Sequence, residues 1–368
     1  MRSRPLAIAV CLLAAGGARA QEAGAGAEPA AEAKPEHDLR FVVMPIPVSN
    51  PAIGNGLAVA AVGLYRMPGA ARPWTTGAAG LYTDNTSWAG GVFQKAYLME
   101  DRLRLTAGAG LGDFKVDFFG IGPNAGRRGR AIPIDQEVAG ALVEGLWRIG
   151  PNLFAGPHYR FIDMRTTLNL GEVPFPDLVP PEAELRSRVS ALGLAAEYDT
   201  RDNEFNARRG LYIKGNALKA AKALGGDDNY WRVEASANGY HPLDDKSVLA
   251  WRVSICSAGD RAPFYDICNF GMANDLRGYV AGQYRDRAMY AVQAEYRRHL
   301  FWRIGGVAFA GVGEVGPSFS RMSTDELLPA AGLGLRIQAS KTYRVNAAID
   351  YAWGKDSQAV YFSIGEAF

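Results

Sequence analysis

Along residues 341–354, "KTYRVNAAIDYAWG", apolar side chains recur at every second position. Tyr343, Val345, Ala347, Ile349, Tyr351 and Trp353 fall on one side, and Thr342, Arg344, Asn346 and Asp350 on the other. A period of two over that length is a β-strand with one apolar face. "MYAVQAEYRRHL" repeats the pattern, with Tyr290, Val292, Ala294 and Tyr296 opposite Ala291, Gln293, Glu295 and Arg297. Aromatics sit near both ends of the apolar face, where a strand crossing a bilayer meets its two interfaces. Beyond residue 20 there is no run of about 18 apolar residues, so no membrane helix is available. The 43 glycines and 16 tyrosines are spread through alternating segments. That combination fits strands that face lipid on one side and a polar lumen on the other.

Counting such segments gives about sixteen strands, the last running from Gln358 to Phe368. The connections alternate in length. Short ones include "GPN" (150–152), "PLDDK" (242–246) and "QASK" (338–341); long ones include "FFGIGPNAGRRGRAI", "LNLGEVPFPDLVPPEAEL" and the stretch 257–287. Short turns on one side and long loops on the other imply an all-β fold, a transmembrane antiparallel β-barrel. An even strand count puts both ends on the short-turn, periplasmic side. "NDLRGYVAGQYRD" (274–286) then lies in an external loop between about the eleventh and twelfth strands. A secreted soluble β-protein would share the alternation but not the aromatic ends. Nor would it explain a final Phe368 preceded at two-residue spacing by Ile364, Phe362 and Val360, which looks like a C-terminal signal for barrel-insertion machinery. Glu366 interrupts that pattern.

"MRSRPLAIAVCLLAAGGARA" has a basic start, a short apolar run and an Ala18-Arg19-Ala20 ending, the layout of a secretory signal over residues 1–20. Cys11 lacks a small residue before it, which argues against a lipid anchor. Residues 21–38, rich in Ala, Glu, Gly and Pro, read as a disordered periplasmic leader, and 39–368 as the barrel. Removing Arg2, Arg4 and Arg19 from the 40 basic residues leaves 37 against 38 acidic ones. That balance gives no support to nucleic-acid binding. Cys256 and Cys268 are then the only cysteines and flank the start of the long loop in an oxidising compartment; a disulfide and two buried thiols both remain open.

His37, His158, His241 and His299 show no metal or triad spacing, and no metal or cofactor is expected. "GAGLGD" (108–113) lacks the strand–helix context of a nucleotide loop and reads as strand packing. "GRRGR" (126–130) is either a contact for lipopolysaccharide phosphates or a solvated loop. Pro45 and Pro47, two apart, place two missing N–H groups on one edge of the first strand. If that edge faces the last strand, the barrel closes on a weak seam; the alternative is that the strand starts elsewhere.

"LRGYVAGQYRD" in a long external loop, followed by a strand carrying "EYRRHL", resembles the BamA/TamA family of outer-membrane assembly and translocation barrels. "YDTRDNEFNARRGLYIKG" (198–215) is similar to that family's Asp-x-Arg-Asp-Asn periplasmic turn. The resemblance implies that the loop folds into the lumen and that Arg277 meets acidic residues there, with Gly278 allowing the tight turn and Tyr279 packing as the aromatic. The implied partner is Glu295, which alternation independently places on the lumen face. The family's Phe-x-Asp-x-Gly pattern reads Phe309-Ala310-Gly311-Val312-Gly313 here, so Arg277 is expected to lose one partner and Glu295 to carry more of the burden. Independently of any family, a charge in a narrow lumen needs a partner, and the planar fork of arginine suits a carboxylate.

Assembly members of that family carry POTRA modules ahead of the barrel, whereas only Gln21–Asp38 stands here, so a small POTRA-less member is expected. The function expected is non-enzymatic traffic of protein or lipid at the bacterial outer membrane. A passive pore or anchor is one alternative and a lipid-processing enzyme another. Expected partners are outer-membrane lipid, lipopolysaccharide and, during biogenesis, the insertion machinery.

Overall fold

In the computed structural model, residues 40–50, 53–65, 67, 74–169, 182–271, 275–340, 344–355 and 357–368 are described. The signal (1–20), the leader (21–38) and segment 170–181 of one long external connection lie outside the described residues. The chain first lays down β1 (Arg40–Asn50), β2 (Gly54–Tyr65), β3 (Trp74–Thr83), β4 (Trp88–Leu98) and β5 (Leu103–Phe118). After a short helix α1 (Pro123–Arg128) come β6 (Ile132–Gly150), β7 (Leu153–Asn169), β8 (Glu182–Asp199), β9 (Gly210–Ala220), β10 (Tyr230–Pro242) and β11 (Ser247–Ala258). A minimal hairpin, β12 (Cys268–Asn269) with β13 (Arg285–Asp286), sits inside the next loop. The barrel resumes with β14 (Ala288–Phe301), β15 (Ile304–Gly316), β16 (Leu328–Ser340), β17 (Val345–Gly354) and β18 (Ser357–Ile364). Sixteen strands form one antiparallel sheet in chain order, β1 to β11 and then β14 to β18.

The two faces separate as lipid and lumen demand. On β17, Ile349, Tyr351 and Trp353 are exposed, while Ala348, Asp350 and Ala352 are buried. On β14, Val292 and Tyr296 face out, and Ala291, Gln293, Glu295 and Arg297 face in. No described helix is long and apolar enough to cross a membrane; the strands supply the apolar belt. Tight turns at one end of the barrel are closed by residues with positive φ, among them Asn152 (φ 58°) and Trp302 (φ 48°).

Three details depart from the sequence reading. The "GPNAGRRGR" loop contains α1, which starts with proline in its first turn and ends on a left-handed Gly129. It packs on the long β11–β14 loop, where Gln283 Nε2 donates to the Gly126 carbonyl at 3.1 Å, and on the β15–β16 connection, where Arg127 pairs with Glu326 at 2.8 Å. The last strand stops at Ile364 rather than Phe368. Gly365 turns the chain inward, and Phe368 packs against Tyr240 and Val248 instead of continuing the lipid face of Phe362 and Ile364. The cause is Glu366: outward it would meet lipid, whereas inward it reaches Arg336 at 2.7 Å and Asn346 at 2.6 Å.

The barrel is not zipped shut. β1 and β18 lie side by side, yet among the described residues β1 has a ladder with β2 alone. Pro45 stands opposite Val59 and Pro47 opposite Leu57 in that ladder, and neither proline has an N–H to give.

Candidate functional site

The long loop between β11 and β14 enters the lumen and builds a small core of its own against the inner wall. Phe270, Leu276, Tyr279 and Tyr284 are buried with Met289 and Ala291 of β14, Val315 of β15, and Leu328 and Ala330 of β16. Tyr279 contacts Phe270 and Tyr284 edge-on, with ring centres 5.2 and 5.7 Å away. At the base of the loop Cys256 and Cys268 are joined by a disulfide. In protein purified without reductant neither Cys256 nor Cys268 is therefore expected to react as a free thiol. Reduction should cost about 3 kcal/mol in the chain-entropy account of a loop this short; two titratable thiols in the unreduced protein would refute the bond.

Arg277 sits at the foot of this core, 1 % exposed. It pairs with Glu295 of β14 and with Asp350 of β17, donates to Gln293 Oε1 at 3.3 Å, and stacks over Phe309 of β15 at 3.6 Å. The pairs continue. Glu295 meets Arg297 at 2.8 Å, Arg297 reaches Glu366 at 3.9 Å, Glu366 meets Arg336 at 2.7 Å, and Arg336 returns to Asp350 at 2.5 Å. Three guanidinium groups and three carboxylates thus alternate in a closed, neutral ring, with every side chain at most 7 % exposed. Neutrality makes the burial tolerable, because each charge has an opposite charge on both sides.

The partner expected from β15 is missing, as Gly311 has no side chain to offer, but Glu295 does not carry the burden alone: Asp350 of β17 is a second carboxylate on Arg277. Gly311 is where Leu276 crosses β15: a Cβ there would stand 2.5 Å from both Leu276 Cδ1 and the Val292 carbonyl. An aspartate has no room at that position, and β17 supplies the carboxylate from the other side. Asp350 was legible as a lumen-facing acid in the alternation of its strand, but nothing local connected it to the loop. Glu366 read as a flaw in a terminal pattern and is a ring member.

Gly278 and Tyr279 tie the loop to the last hairpin. Gly278 has φ 115° and donates its N–H to Tyr361 Oη at 3.0 Å, while its carbonyl accepts from Ser357 Oγ at 2.5 Å. Tyr279 Oη donates to the Pro329 carbonyl at 2.5 Å and accepts from the Lys355 N–H at 3.0 Å. The loop's other buried arginine, Arg285, donates Nε to the Gly282 carbonyl at 2.9 Å; its Nη1 has no partner among the described residues.

The Asp199–Asn203 turn is also built from its polar residues. Asp199 grips Arg201 at 2.9 Å, and Asn203 Oδ1 accepts from the Phe205 and Asn206 N–H groups. Burial opposes ionisation of Asp202, but N–H donation from Arg208 and Arg209 and the Arg344 side chain outweigh it and hold the carboxyl below its usual range. Of the histidines among the described residues, His158 pairs with Glu144 and His241 accepts from Trp251 Nε1.

An antiparallel barrel with an apolar outer belt, a charged inner wall and an external loop fastened inside is a transmembrane barrel of the bacterial outer-membrane type. The Omp85 superfamily domain matches residues 169–368, and the chain belongs to that superfamily. Its fold is similar to that of BamA from Haemophilus ducreyi lacking POTRA domains 1–3, with TM-score 0.57 and 13 % identity over 89 % of this chain and 69 % of that one. It is also similar to CdiB from Escherichia coli (TM-score 0.62, 12 % identity, 90 % of this chain) and CdiB from Acinetobacter baumannii (0.56, 13 %, 89 %). The chain spans 63 % and 58 % of those two CdiB chains, less than two thirds of each. No curated protein sequence matches it.

Proposed function

We propose that this barrel assists the assembly or translocation of protein at the outer membrane through the seam between β1 and β18. One observation carries the reading: among the described residues the two strands are neighbours with no ladder between them, which leaves edge groups for pairing with a strand from another chain. The loop supports it, because its tip is bonded to Ser357 and Tyr361 of β18; the lumen latch and the seam therefore share one strand. Membership of the Omp85 superfamily agrees with such a role. A lumen occupied by Phe270, Leu276, Tyr279 and Tyr284 counts against a passive pore. On this reading the chain is not an enzyme. It reaches the outer membrane through the signal at 1–20 and the periplasm, is inserted by the barrel-insertion machinery, and meets outer-membrane lipid and lipopolysaccharide on its outer face.

Photo-crosslinkers placed in intact cells at Met44 and Ile46 of β1, and at Val360 and Phe362 of β18, test the seam. Adducts with other envelope proteins are expected from these sites and not from Leu194 of β8, an exposed lipid-face position away from the seam. Equal labelling at all five positions, or lipid adducts alone, would remove the proposal.

A further inference from the structure

At the periplasmic mouth a cavity of about 750 Å³ opens between the turns that follow β8, β10, β14 and β16, with Arg297, Arg336 and Glu366 of the ring in its wall. Its charge is unbalanced. Arg298 is matched by Asp244 at 3.4 Å and Arg344 by Asp202 at 3.0 Å. The guanidinium groups of Arg208 and Arg303 donate to backbone carbonyls, of Asp244 and Gln338, and neither they nor Arg209 and Lys246 form an ion pair among the described residues. Among the described residues, four cations thus face this hollow, and Asp245 is the lining carboxylate not in an ion pair. Like charges around a concave mouth focus a positive potential that draws in an anion.

We propose that this vestibule binds the acidic segment ahead of β1, residues 21–39, as an internal anionic ligand. That segment carries Glu22, Glu28, Glu32, Glu36 and Asp38 against Lys34 alone. Its composition offers no apolar side of its own to bury, so charge is the means by which it docks. The attachment point is right: β1 begins at Arg40 beside β18, and the residues after β18 bring Glu366 into the vestibule wall. An extended chain covers about 3.3–3.6 Å per residue, so the segment reaches roughly 60 Å, ample to enter from that edge. Tethering holds the acids at an effective concentration on the order of millimolar, where several weak ion pairs act together. This occupancy does not depend on the seam's role.

The test uses the full chain in phosphatidylcholine nanodiscs, with a photo-crosslinker at Ala30. At about 50 mM salt, intramolecular adducts are expected on the turns bearing Arg208, Arg209, Lys246 and Arg303; about 0.5 M salt should cut them roughly five-fold as screening shortens. Glu28→Gln, Glu32→Gln and Glu36→Gln together, which leave the barrel unchanged, should cut them likewise, and so should Arg209→Gln with Lys246→Gln. Adducts elsewhere on the barrel, adducts between two copies, yields indifferent to charge and salt, or no adduct would each overturn the proposal.

Discussion

Replacing Arg277 by alanine is expected to open the lumen loop to added protease. The change leaves Glu295 with Arg297 alone and Asp350 with Arg336 alone, and the ring carries a net negative charge. Stranding a buried charge in this way costs about 3–5 kcal/mol. That cost is measured against the aromatic core of Phe270, Tyr279 and Tyr284, which remains, so the loop should loosen rather than leave. Glu295→Ala and Asp350→Ala should act in the same direction. The double change Arg277→Ala/Glu295→Ala restores neutrality and should be no worse than either single change, a non-additivity expected of groups in one network. Arg277→Lys should not rescue, since an ammonium lacks the planar fork that reaches Glu295 and Asp350 while lying flat on Phe309. A broad-specificity protease is the right probe, because the substitution removes a tryptic site. Effects of Arg277→Ala and Glu295→Ala that simply add would break the ring as an account of the latch.

Gly278→Val should be comparably damaging for a different reason. Its φ of 115° lies where side chains are strained, and a Cβ there would stand 2.9 Å from backbone atoms of Trp353 and Gly354. Strain of about 1–3 kcal/mol adds to a similar overpacking cost. The turn must move, and Tyr361 and Ser357 then lose their loop partners. Faster amide exchange in β17 and β18, with little change in β6 or β7, is the expected result. Unchanged exchange in the last hairpin would show that the loop tip does not hold it.

How far the chain explains itself differs from part to part. The belt and the strand order were readable because lipid demands an apolar group at every second residue and tight turns leave antiparallel neighbours no other order. Arg277 and Glu295 were readable from a motif and an independent alternation. Asp350 was not, because its bond to Arg277 joins residues 73 apart and depends on which strand the loop leans against. Helix α1 was hidden by its brevity and by the glycines and proline around it. The end of β18 was misread because a local apolar rhythm was extended through Glu366, whose partners lie on strands that the rhythm does not show.

The ring also fixes an order of events. Its members come from the loop, β14, β16, β17 and the residues after β18, so it cannot close until the final hairpin has arrived. The disulfide needs only β11 and the first part of the loop and can form much earlier. Biogenesis therefore has a built-in completion check: the loop is tethered early and captured last, and its capture reports that the final strand is in place. Pulse proteolysis during refolding should find the loop cleavable after the first strands are protected and resistant only once β18 is; protection of the loop before β18 would contradict that order.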